Sequence, residues 1–434
     1  MSVQPYQDIV FSRDGDIGEA GRDRLMRLEA TDLVLFAHGR NNSPATAAVL
    51  HSAFFAPFPG LLAAGVRLGY AGIVWPSMRF ADEPVPGTAT DPAADPGAGA
   101  DRGWDTGPDG GLDGATRSAL TALFPGHEAT VARLAALLRE RPESRAAFTE
   151  FGRLARLLSE APAGGLESCF TDDLPQEEQG PPALLYEDTL DLCRMFALAL
   201  ERTGRAPAAG TGGAERVWRG AKELLRQTTY YAMKRRAGAV GELGLGPLLG
   251  QLARGRPGIR VHLVGHSQGA RLVAFALRGL PDGVRTVKSV TLLQGAFSHY
   301  AFAPSLPHAA QHSGALRAME QRVDGPVVAC HSRYDSALGE DYPLASRLAG
   351  DDRHPVWPDR RWWAVGHSGL QAVRPPSVRL TLEEALARGV PRSGCVSVDT
   401  ASVVRRGGAP AGAHSDICHR ELARLIVLAG RMGG

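Results

Sequence analysis

Lysine is almost missing from this chain of 434 residues. Lys222, Lys234 and Lys288 are the only three, and arginine supplies the remaining positive charge. Basic and acidic residues number 48 and 46, a formal net charge of +2, so neither a nucleic-acid surface nor an acidic tail is expected. Cysteine is sparse too. Cys169, Cys193, Cys330, Cys395 and Cys418 form an odd, scattered set without metal-type pair spacing. They predict free thiols in a reducing compartment and no disulfide framework. No apolar run is long enough to cross a bilayer, and the first eight residues hold no basic region followed by an apolar stretch. The sequence therefore predicts no stable membrane insertion, no signal peptide and a cytoplasmic location. No histidine-cysteine cluster suggests zinc. Asp91, Asp95, Asp101, Asp105, Asp109 and Asp113 lack the spacing of a calcium loop and read as a solvated segment. Neither a cofactor nor a metal is expected, and the oligomeric state is not legible.

Hydrophobic residues make up 44% of the chain, enough for a sizeable core. Short apolar runs at 32–37, 71–75, 259–264, 286–293, 327–330 and 395–398 read as buried strands, with Ile9-Val10-Phe11 as an edge strand turning at Asp14-Gly15. Helical patterns lie between them. One starts at Pro44, one carries Val217, Ala221, Leu224, Leu225, Thr228 and Tyr231 on a single stripe, and a last one runs from about Ser415 to Ala429. Strands alternating with helices predict an α/β class with a mostly parallel central sheet. Composition shifts to Asp, Pro, Gly and Ala from about 81 to 114, and helical patterns resume at 116–124, 127–140, 144–160 and 184–204. The expected division is a core of 1–80 and 214–434 and a mainly helical insertion of 81–213, placed like a lid.

The residues that carry chemistry begin with Gly265-His266-Ser267-Gln268-Gly269, between the strand at 259–264 and a helix holding Ala270, Leu272, Val273, Ala276 and Leu277. Such a turn strains the serine backbone and brings strand end and helix start together, where side chains at the two glycines would collide. The amino end of the helix favours an oxyanion. A serine hydroxyl needs a base, a group that orients the base, and donors for the oxyanion. On such a sheet the acid and then the histidine follow the serine in chain order, each after a strand. Asp335, after the strand at 327–330, is the acid candidate, with Asp341 as runner-up and Asp399 behind it. His414, between the last strand and last helix, is the base candidate, with His367 as rival and His419 one helical turn further on. Gly39 and Arg40, after the strand at 32–37, offer amides for half of an oxyanion hole, and the amide of Gln268 offers the other half. Trp357, Trp362 and Trp363 read equally well as an acyl pocket or as core. His266 and His331 read as packed, hydrogen-bonded histidines.

With these residues the chain resembles the α/β-hydrolase superfamily over about 30–80 and 215–430. More narrowly it resembles a bacterial group of serine peptidase- or lipase-like α/β-hydrolases. The shared stretches are His38-Gly39-x-Asn41-Asn42, Trp75-Pro76-Ser77, Met233-Lys234-x-Arg236-Ala237-Gly238, Gly265-His266-Ser267-x-Gly269 and Asp341-Tyr342-Pro343-Leu344-Ala345. Arg40 departs from that group, which often carries an aromatic residue there. The resemblance implies Ser267 as nucleophile, Asp335 as acid and His414 as base. The expected activity is cleavage of a carboxylic ester in a small-molecule acyl substrate through an acyl-enzyme. The alternatives are a thioesterase, amidase or acyltransferase using the same residues, or a binding protein that keeps the fold without turnover.

Overall fold

The computed structural model describes residues 1–433 except 41, 79, 81–110, 160–172, 174–187, 203–212, 336, 339–362 and 408–411. Eight strands form one sheet: β1 (Tyr6–Val10), β2 (Asp32–Ala37), β3 (Leu68–Val74), β4 (Arg260–His266), β5 (Val287–Leu293), β6 (Pro326–His331), β7 (Val378–Thr381) and β8 (Gly394–Asp399). Their order is β1-β3-β2-β4-β5-β6-β8-β7, and every neighbouring pair is parallel. The class is therefore α/β, with helices on both faces.

The central strands read as continuous apolar runs because both of their faces are covered. In β2, Leu33, Leu35 and Ala37 join one apolar cluster, while Val34 and Phe36 join the other. The side-chain period of two sends alternate residues to opposite faces. Asp32 starts β2 with its carboxylate 3.0 Å from Arg260 Nε and 3.1 Å from His262 Nε2, so the buried charge is compensated by its register partner and its neighbour on β4. β7 was not expected from the sequence. It is short, mostly exposed and at the sheet edge, so it lacks the apolar run that marks the others.

On one face lie α1 (Glu19–Arg27), α3 (Gly114–Leu123), α4 (Glu128–Glu140), α5 (Arg145–Ser159), α6 (Thr189–Arg202), α7 (Gly213–Ala239), α8 (Gly246–Gly255) and α9 (Gln268–Gly279). Phe148, Phe151, Phe196 and Trp218 from the four-helix stretch and α7 belong to the same cluster as Leu33 and Leu263 from the sheet. The opposite face carries α2 (Pro44–Phe55), α11 (Leu382–Arg388) and α12 (Arg420–Gly430), while α10 (Val365–Ser368), between β6 and β7, puts Val365 into the cluster of the first face. α2 starts as the sequence predicts. Pro44 is its first residue, and Ser43 and Thr46 form a reciprocal cap.

The strand order reverses between β2 and β4, which are adjacent although β3 lies between them in the chain. The crevice beyond the carboxyl ends of strands at such a reversal is where parallel α/β sheets place ligands. His38-Gly39 leaves β2 there, and Ser267 leaves β4 beside it.

Candidate active site

Ser267 joins β4 directly to α9 and has φ +57° and ψ −121°, a conformation that costs an L residue about 1–3 kcal/mol. Three backbone bonds over-determine it. Its amide donates to Leu293 O (3.0 Å), and its carbonyl accepts from Ala270 (3.1 Å) and Ala296 (3.1 Å). The flanking glycines are steric requirements. A Cβ at position 265 would stand 2.2 Å from Gly269 O, and one at 269 would stand 2.2 Å from Ala37 O.

The serine hydroxyl donates to His414 Nε2 at 2.8 Å, and His414 Nδ1–H donates to Asp335 Oδ2 at 2.8 Å. Asp335 is fully buried in the loop after β6, and its other oxygen accepts from the Leu338 amide at 3.1 Å. Ser332 shapes that loop, with its hydroxyl donating to Val404 O and its carbonyl accepting from the Asp335 amide. The Ala413 amide donates to Tyr334 O at 2.9 Å, so the acid-bearing loop and the histidine-bearing turn are bonded directly.

The loop after β2 closes the other side. A Cβ on Gly39 would lie 2.8 Å from Ser267 Cβ. Trp75 Nε1 donates to His38 O at 2.9 Å, and Asn42 Nδ2 donates to Gly39 O at 3.2 Å. His38 Nδ1 lies 2.8 Å from Gly39 O. Burial, reinforced by His51, pushes His38 down to about 3, so its ring is neutral and the proton on Nδ1 makes that bond. Gln268 is the first residue of α9, so its N–H is among the helix-start donors that have no partner within the helix. Its side chain donates to Tyr230 O at 3.4 Å, and the Arg40 guanidinium lies 5.5 Å from the Tyr230 ring centroid. The six residues singled out in the sequence, Ser267, Asp335, His414, Gly39, Arg40 and Gln268, thus lie on four connections at the carboxyl edge of the sheet, those after β2, β4, β6 and β8.

The rivals are engaged elsewhere or lie outside the described residues. Asp399 accepts from the Ala401 amide at 2.9 Å. His367, on α10, stacks edge-on to Trp363 at 4.7 Å. His419 bonds Asp416 at 2.7 Å. Asp341, Trp357, Trp362 and the aspartates from 91 to 109 lie outside the described residues. Asp113 caps α3 by accepting from the Thr116 amide. Among the described residues there is no group of three or more side chains suited to a metal ion, and no helix is long and apolar enough to cross a membrane.

Two features went unread in the sequence. His266 bonds the carbonyl of His414 at 2.8 Å. Asp173, 3% exposed, receives Arg271 Nε and Lys234 Nζ at 2.9 Å each, and its Oδ2 accepts from the Ser298 amide at 3.1 Å. Only the apolar context of Gly269-Ala270-Arg271-Leu272-Val273 hinted that Arg271 is buried, because a charge inside such a run needs a partner.

An all-parallel α/β sheet, with a strained serine hydrogen-bonded to a histidine–aspartate pair at its carboxyl edge, gives the class of this protein by form. No family model matches the chain, and no curated protein or solved structure matches it either.

Proposed function

We propose that this protein is a serine hydrolase of the α/β-hydrolase type that cleaves carboxylic esters through an acyl-enzyme. The observation that carries the reading is the row Ser267 Oγ–His414 Nε2 and His414 Nδ1–Asp335 Oδ2, at 2.8 Å each, built on a serine in a strained turn. A surface serine has no need of a buried carboxylate held two bonds away.

In the proposed reaction Ser267 attacks the ester carbonyl while His414 takes its proton. Asp335 fixes the His414 tautomer and steadies the imidazolium. The amides of Gln268, Gly39 and Arg40 face the developing oxyanion, where loss of one donor costs ~3 kcal/mol of transition-state stabilisation. His414 returns the proton to the leaving alcohol. Water, activated by the same imidazole, then attacks the acyl-enzyme, and the acid product leaves with Ser267 regenerated. We also propose that the described helices of the stretch 81–213, α3 to α6, form a cover beside the site. Asp173, in the same stretch, supports this through its bond to Arg271 on α9, the helix that follows Ser267.

A fluorophosphonate probe and a series of p-nitrophenyl esters of varied chain length test the reading. The wild type should label once and release p-nitrophenol, and Ser267→Ala should do neither. Labelling that survives the substitution, or a wild type inert to probe and esters alike, would remove the nucleophile assignment.

A further inference from the structure

β4 has a side-chain period of two, so His266 shares the face of His262 and Val264. Val264 belongs to the cluster that includes Ile417, Leu422 and Leu425, on the side from which the His414 turn approaches. His266 is 2% exposed, its ring centroid is 4.9 Å from that of His414, and its Nε2 is 2.8 Å from His414 O. A carbonyl only accepts, so the proton of this bond sits on Nε2. Burial, with the nearby His414, pushes His266 down to about 3, which leaves one neutral tautomer and an unprotonated Nδ1. That Nδ1 has no hydrogen-bond partner among the described residues and lies 3.1 Å from where a Gly39 Cβ would be. A side chain at position 39 would therefore strike the serine and this ring together.

His414 lies in a turn, outside helix and strand. Its backbone is held on one side by the Ala413 amide donating to Tyr334 O in the acid loop. His266 holds the other side, from the strand that delivers the nucleophile.

Resting on the acyl-enzyme reading above, we infer that His266 is a positioning residue, whose Nε2–H fixes the His414 backbone so that its imidazole faces Ser267. It touches no substrate and moves no proton.

A side-chain series separates this role from packing. His266→Phe keeps a ring without a donor. His266→Gln can place an amide N–H near the position of Nε2, whereas the shorter His266→Asn falls near Nδ1. The expected order of kcat for p-nitrophenyl butyrate is wild type, then Gln, then Asn and Phe together. The last two should fall about 10- to 100-fold with KM within about twofold, because misplacing a reacting group by about 1 Å costs up to 10²-fold. The His414 Nδ1–H proton resonance should persist in Gln and shift or broaden in Phe and Asn. Wild-type kcat in the Phe variant overturns the inference, as does an unchanged resonance there. A wild type without esterase activity or Ser267 labelling overturns the acyl-enzyme reading instead, and the resonance still decides whether His266 orients His414.

Discussion

At the scale of single residues, Asp335 offers the sharpest test. Its two oxygens have separate duties: Oδ2 accepts from His414 Nδ1–H, and Oδ1 accepts from the Leu338 amide. Asp335→Asn keeps the shape of the side chain. If the new amide nitrogen takes the Oδ2 position it donates to Nδ1, which forces the His414 proton onto Nε2, where it can no longer accept from Ser267. The expected result is a fall in kcat of about 10⁴-fold with little change in melting temperature. Steady-state kinetics beside a thermal scan check it, and a loss under tenfold would mean that Asp335 does not set the tautomer. The six candidate residues could be picked out because each lies in a connection that follows a strand, and Ser267, Asp335 and His414 come in the chain order expected of a serine, acid and histidine set. His266 was not legible as a partner of His414. The two are far apart in sequence, and a histidine in an apolar run reads as core until the fold shows which carbonyl it meets.

At the scale of elements, Asp173 ties a stretch outside the sheet to α7 through Lys234, to α9 through Arg271, and to the segment after β5 through Ser298. Burial alone would raise its carboxyl, but the two cations hold it at about 2, below its ordinary 3.8. The folded value is the lower one, so the ionised carboxylate stabilises the fold above about pH 4, and that share disappears as pH falls towards 2. Asp173→Asn removes the charge that two buried cations share, and urea unfolding at pH 7 should show a loss of about 3–5 kcal/mol. A change under about 1 kcal/mol would show that the cluster does not anchor these elements. Element boundaries were less legible than the elements themselves. The last helix begins at Arg420 and not near Ser415, because Asp416 accepts from the Arg405 and Arg406 amides and from His419, pinning a turn where the sequence suggested helix. Past α7 the chain passes through a wide helical turn, Val240–Leu245, straight into α8. A Cβ at Gly241 would stand 2.2 Å from Leu272 O, so this glycine serves the close crossing of α9.

At the scale of the whole molecule, neutral histidines buried around the sheet link stability to pH. Burial is the leading cause in each case, and it holds His38 and His266 at about 3 and His331 at about 4, all below the ordinary 6.5. His38 and His266 stand beside Gly39 and Ser267 in the chain, and His331 ends β6 before the Asp335 loop, so the candidate site and the pH response share one part of the fold. Unfolding exposes these rings, and between the two values the unfolded chain binds the extra protons. The sign follows: stability rises with pH through this window, and it falls as pH drops below 6.5. Each ring contributes a slope of about 1.4 kcal/mol per pH unit, and the three together about 4 between roughly pH 6 and 4.5. Carboxylates such as Asp173 add their own loss only below about pH 4, so the histidine share can be read separately. Urea unfolding at half-unit steps from pH 7 to 4.5 should therefore show a steep acid fall well above the carboxylate range. His266→Gln, which keeps a donor but cannot titrate, should remove the share of one ring, about 1.4 kcal/mol per pH unit, from that slope. A flat profile in the wild type would mean that these rings protonate within the folded chain, and the neutral tautomers assigned to His38 and His266 would then be wrong.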